Sequence, residues 1–105
     1  MAQPYLDRLQ ALSAGAGTSN ASGIACRHFF SGAAAYFQGR IFMTLTPVGL
    51  ALKPPEARRR AVMASGGGVL RYFPKAPIKR HYVVLPPAIR DDAAALRELI
   101  QASIA

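Results

Sequence analysis

Cys26 and His28 lie two residues apart, so on an extended strand their side chains share one face. A thiol beside an imidazole has the makings of a nucleophile pair, or of half a metal site. Zinc takes four ligands, and His81 is the one further histidine or cysteine in the chain. No acid is placed by the sequence to orient His28. The pair is therefore read as structural, a small buried cysteine on a strand, and a thiol or metal protein using Cys26 and His28 is the minor alternative.

Two other features with chemical overtones reduce to structure. Gly66-Gly67-Gly68 suggests a phosphate-cradling loop, but such a loop follows a strand and opens a helix with Gly-Lys-Ser/Thr. Here the glycines follow a helical segment and precede an extended one, so they read as a helix stop. Of the five acids, Glu56, Asp91 and Asp92 stand at expected helix starts, where capping and the helix dipole account for them. Asp7 and Glu98 fit exposed helix positions. No carboxylate pair is left for acid–base hydrolysis, so the expectation is a non-enzymatic protein without a cofactor.

The bases carry more weight. The net charge is +8, and eleven of the thirteen Lys and Arg residues lie between Arg27 and Arg90. Arg58, Arg59 and Arg60 are consecutive on a helix, so they fan across about 200° and cannot close into one claw. Arg71, Lys75, Lys79 and Arg80 gather near one expected hairpin. With Tyr72 and Tyr82 they would form a basic, aromatic surface able to stack bases, although aromatics also favour the interior of sheets. These seven bases form the candidate partner or nucleic-acid surface.

The elements that must position these residues belong to one domain of 105 residues, 51% hydrophobic and 17% charged. A single cysteine rules out an intrachain disulfide and fits a reducing compartment. The N-terminal MAQPYLDRLQ carries Asp7 and Arg8 and no apolar core, and no run approaches the roughly 18 apolar residues of a membrane span. A cytoplasmic protein is expected.

Residues 3–14 form a first helix on the spacing of Tyr5, Leu9 and Leu12, stopped at Gly15–Gly17, and Gly15–Gly23 is a connector. Four strands follow over 25–30, 33–37, 40–46 and 50–53. Gln38-Gly39 and Pro47–Gly49 supply turns. In the third strand Ile41, Met43 and Leu45 alternate with Phe42, Thr44 and Thr46. Pro54-Pro55-Glu56 opens a second helix with Ala57, Ala61, Val62 and Met63 inward. Strands at 69–73 and 79–85 and a last helix near 89–104, with Leu96, Leu99, Ile100 and Ser103 at helical spacing, complete the order α-β-β-β-β-α-β-β-α. The connections are too short for parallel crossovers, so this is an α+β domain with an antiparallel meander of about six strands and helices on one face.

In that order the chain resembles the TfoX N-terminal domain, the leading module of the TfoX/Sxy competence regulators. The likeness runs through Arg27-His28-Phe29-Phe30-Ser31-Gly32, where the family has an arginine before a Met-Phe-Gly-Gly type turn. It continues through Ala35-Tyr36-Phe37-Gln38-Gly39-Arg40-Ile41-Phe42, Gly49-Leu50-Ala51-Leu52-Lys53, Arg71-Tyr72 and His81-Tyr82-Val83-Val84-Leu85-Pro86. Roughly residues 5–105 are covered. Phe30-Ser31 departs from the Met-Gly part of the first turn. The expectation is a single-domain member, without the helical C-terminal domain of the full-length regulators. The resemblance implies help to a cyclic-AMP receptor protein at promoters, and neither catalytic residues nor a cofactor.

The leading functional expectation is a bacterial regulatory module acting through a protein partner, in transcription or competence. Direct nucleic-acid binding through the basic surface is the alternative. Pro74 and Pro77 protect one sheet edge, Arg27 and His28 give the first strand partial protection, and the apolar surface around Phe29, Phe30 and Tyr36 leads to the expectation of a weak homodimer.

Overall fold

Alternation in residues 24–52 builds a meander whose connections are the shortest that backbone geometry allows. The computed structural model describes residues 3–14, 23–29, 31–72 and 74–104. It contains α1 (Gln3–Ala14), β1 (Ile24–Phe29), β2 (Gly32–Phe37), β3 (Arg40–Thr46), β4 (Gly49–Leu52), α2 (Glu56–Ala64), β5 (Val83–Val84), α3 (Pro87–Arg90) and α4 (Ala93–Ile104). The five strands form one antiparallel sheet in sequence order. The connector at 15–22, Phe30 and Phe73 lie outside the described residues.

Gln38 and Gly39 turn the chain between β2 and β3 with φ of 51° and 83°. Two successive positive φ angles match the twist of a two-residue hairpin, and glycine takes the second at no steric cost. Gly32 is required for a different reason. A Cβ there would sit 2.1 Å from the Leu45 carbonyl oxygen, so only glycine lets β2 approach β3 at this point.

The register assigns the faces. Cys26, Ala35, Met43, Leu52 and Val83 align across the sheet on one face, and Arg27, Ala34, Thr44, Ala51 and Val84 on the other. The first face carries the core. Leu9 of α1, Val62 of α2 and Leu96, Leu99, Ile100 and Ile104 of α4 close over Ala33, Ala35, Met43, Leu45, Leu50, Leu52 and Val83.

Several expectations are corrected. Phe42 belongs to the helix-covered core, not to the face of Thr44 and Thr46. The register between β2 and β3 shifts at Ala35/Tyr36, where Ala35 pairs with Met43 but Tyr36 with Ile41. Phe42 is the extra residue of that bulge, which re-aims its side chain. On α2 only Val62 is buried and Met63 is partly so, whereas Ala57 and Ala61 are exposed. The last helix is two. Asp92 breaks it, its carboxylate accepting the N–H groups of Ala94 and Ala95 at 3.1 Å each, an N-cap for α4.

The strand count is five rather than six. No strand forms over 69–72, where the pairing is a single antiparallel bridge one residue earlier, between Gly68 and Val84, and the strand expected at 79–85 is reduced to Val83–Val84. Pro74 and Pro77 remove two ladder donors from the intervening chain. The described residues between Gly68 and β5, 69–72 and 74–82, instead form an irregular loop, drawn in where the Lys79 N–H donates to the Leu70 carbonyl at 2.9 Å.

That loop covers the second face. The Tyr72 hydroxyl reaches Thr44 Oγ1 at 3.4 Å, and the Tyr72 ring meets Phe29 edge-on at 5.3 Å between centroids. Leu70 and Ala76 are buried, yet both stand outside the helix-covered core.

Candidate functional site

Folding sorts the charges that the sequence interleaves. The helices and the turn between α3 and α4 hold all five acids and six bases: Arg8, Arg58, Arg59, Arg60, Arg90 and Arg97. The strands, the end of β4 and the 69–82 loop hold the other seven: Arg27, Arg40, Lys53, Arg71, Lys75, Lys79 and Arg80. No acid accompanies them. Nearly all of the net charge of +8 therefore resides on the sheet-and-loop half.

On the helical half four of the six arginines are held in ion pairs. Glu56 accepts two parallel bonds from Arg59, at 2.8 and 2.7 Å, and a third from Arg60 at 2.9 Å. These bonds, Arg59 first, hold the Glu56 carboxyl down to about 2 from its ordinary 4.5. Arg58 pairs with Glu98 of α4. Arg90 bonds Asp91 at 3.0 and 3.1 Å and depresses its carboxyl, with Arg8 adding to the effect. The Arg58–Arg60 run thus lies on α2 and is paired with Glu56 and Glu98.

Arg71, Lys75, Lys79 and Arg80 are all exposed on the loop, and Lys79 and Arg80 line one groove. Arg71 donates to the Pro74 carbonyl at 3.5 Å, and among the described residues none of the four forms an ion pair. Exposed apolar side chains interrupt this surface, Val69 at 53% and Ile78 at 42% exposure. The tyrosines are partly embedded. Burial raises the hydroxyl pKa of Tyr72, and raises that of Tyr82 further, with Tyr72 and Tyr36 nearby adding to the second shift. Arg27 lies 5.9 Å above the Tyr36 ring, within cation–π range.

A groove of about 280 Å³ opens where β4 meets the loop, lined by Lys53, Ile78, Lys79, Arg80, His81 and Tyr82. Lys53 was not among the bases singled out from sequence. Its signal was positional, a lysine ending an apolar strand. A larger cavity of about 410 Å³ lies between α1 and α4, floored by Leu12, Leu96 and Ile100 and rimmed by Arg8, Arg90, Arg97 and Asp91.

The possible thiol or metal set is dispersed. Cys26 is partly buried on β1 and packs against the core, and His28 on the same strand is exposed. His81 precedes β5, four strands away, a separation of roughly 19 Å at normal strand spacing. Among the described residues no three His, Cys, Asp or Glu groups converge as metal ligands. No helix there is long and apolar enough to cross a membrane.

A family model described as the TfoX N-terminal domain matches residues 18–105. No curated protein matches the chain.

Proposed function

The chain belongs to the TfoX N-terminal domain family, a competence-related regulatory domain, and from that membership we propose that it acts without catalysis, by holding a protein partner. The observation that carries this reading is the pairing of exposed Val69 and Ile78 with an acid-free basic surface on one loop. Protein interfaces combine an apolar centre with a polar, charged rim, and this rim suits an acidic partner. The regulatory setting is transcription or competence in the cytoplasm. The test compares native-cell pull-downs with the wild-type chain and with Ile78→Asp. A partner retained by the first and lost by the second supports the reading. Recovery of nucleic acid and no protein overturns it.

The second reading is direct nucleic-acid binding, favoured by seven bases on strands and a loop that carry no acid. Binding driven by phosphate contacts weakens steeply with salt. Titration against duplex and single-stranded DNA at two salt concentrations checks it, and no shift at micromolar protein rejects it.

A further inference from the structure

Backbone bonding fixes the groove beside Lys53. The Tyr82 N–H donates to the Lys79 carbonyl at 3.1 Å, closing a tight turn with Arg80 and His81 at its corners. Leu52 pairs with Val83, so Lys53, one residue further along, comes opposite Tyr82. Two lysines, an arginine and an imidazole therefore line one groove, with the Tyr82 ring and Ile78 as its apolar wall.

No carboxylate lines this groove, and the nearest acid in sequence, Glu56, is occupied by Arg59 and Arg60. The cavity between α1 and α4 differs in kind. There Asp91 clasps Arg90 and supplies counter-charge from within.

We propose that the groove lined by Lys53, Lys79, Arg80 and His81 is a binding site for a phosphate monoester of nucleotide type. Three full positive charges call for more than the single charge of a carboxylate. A phosphomonoester carries about −1.5 to −2 at neutral pH and offers three strong acceptor oxygens. Lysine meets such a group as a point charge and arginine as a two-pronged donor. The tyrosine ring and Ile78 suit the sugar or base attached to the phosphate. The volume is at the small end for ligand sites, which fits a mononucleotide and not a longer ligand.

The site shares Ile78, Lys79 and Arg80 with the partner surface, yet the two readings fail separately, because one is read from a retained protein and the other from a free nucleotide bound beside Lys53. The test titrates the full chain with inorganic phosphate and with a nucleoside monophosphate, at constant ionic strength, following backbone amide shifts by NMR. Saturable binding of the nucleotide is expected, with the largest shifts at residues 53 and 79–82. Losing one charge-assisted contact in Lys53→Ala or Arg80→Ala weakens it roughly tenfold or more. Arg97→Ala, the same charge loss on α4, leaves the affinity unchanged. Unsaturating shifts, equal weakening in all three variants, or binding confined to polymeric DNA would each overturn the proposal.

Discussion

On one face of the sheet Met43, Leu52 and Val83 are shut in by helices, whereas on the other Ala34, Thr44 and Ala51 lie under an irregular loop. Both sets are fully buried, but the covers differ. The helices bring long aliphatic side chains that interlock with the sheet, and their outer surfaces carry acids that pair Arg58, Arg59 and Arg60. The loop brings Leu70, Ala76 and the side of Tyr72, with bases and no acid outside. Burial of aliphatic area is the main source of stability, so the helix-covered face holds the fold together. The loop-covered face adds less, and it presents the surface on which recognition is proposed.

The largest effect belongs to the helix-covered face. Met43 is central on β3 and fully buried. Met43→Ala should cost about 3 kcal/mol, the middle of the range for deleting a large core side chain. Urea unfolding measures it, and a loss below about 1 kcal/mol would mean that this face does not dominate. Leu70→Ala comes next. Leu70 is equally buried, but its cavity lies under a loop that can settle inward, so about 2 kcal/mol is expected, the low end of the same range. A cost above that of Met43→Ala would reverse the ranking of the two faces.

The first of these faces was largely legible in the sequence, because Met43 and Leu45 alternate with Thr44 and Thr46, and Leu96, Leu99 and Ile100 recur with helical period. Phe42 was misassigned because a bulge has no signature in a single strand: it arises from the pairing of two. The helix break at Asp92 was hidden for a similar reason, since an aspartate at the start of a long helix and one between two helices look alike. The loop-covered face was misread as a hairpin, although Pro74 and Pro77 argued against continuous pairing. The candidate surface was half visible. Arg71 to Arg80 are close in sequence, but Lys53 joins Lys79 and Arg80 only through the β4–β5 register. Neutralisation of Arg58 needs Glu98, forty residues away.

Tyr72→Phe sharpens the comparison at smaller scale. The hydroxyl bond to Thr44 is long, at 3.4 Å, so its loss should cost about 0.5 kcal/mol, the low end for a hydrogen bond. The alkaline limb gives a second readout. Tyr72 and Tyr82 have pKa values raised in the fold above an ordinary 10. Their neutral forms are favoured by folding, so this contribution is complete below pH 10 and is lost as pH rises beyond it. Spectrophotometric titration should show these two tyrosines ionising later than an unfolded control. Ionisation of Tyr72 and Tyr82 together with the unfolded control would mean that the loop does not shield them.

The smallest effect lies on the helical half, where charges are matched but exposed. Glu56 is held down to about 2 from 4.5, first by its bonds to Arg59 and then by Arg60. A depressed carboxyl favours the folded state once ionised. The contribution is therefore present above about pH 4.5 and fades as pH falls toward about 2. Exposed pairs of this kind are screened by water and salt, so the stability involved is slight even though the titration is displaced. NMR titration of the Glu56 carboxyl should place its midpoint well below that of a free glutamate, and Arg59→Ala should move it most of the way back. If Arg60→Ala moves it as far, the two-bond clasp by Arg59 is not the dominant contact. If neither variant moves it, the arginines of α2 are as unmatched as those of the loop, and the contrast between the two halves of the molecule disappears.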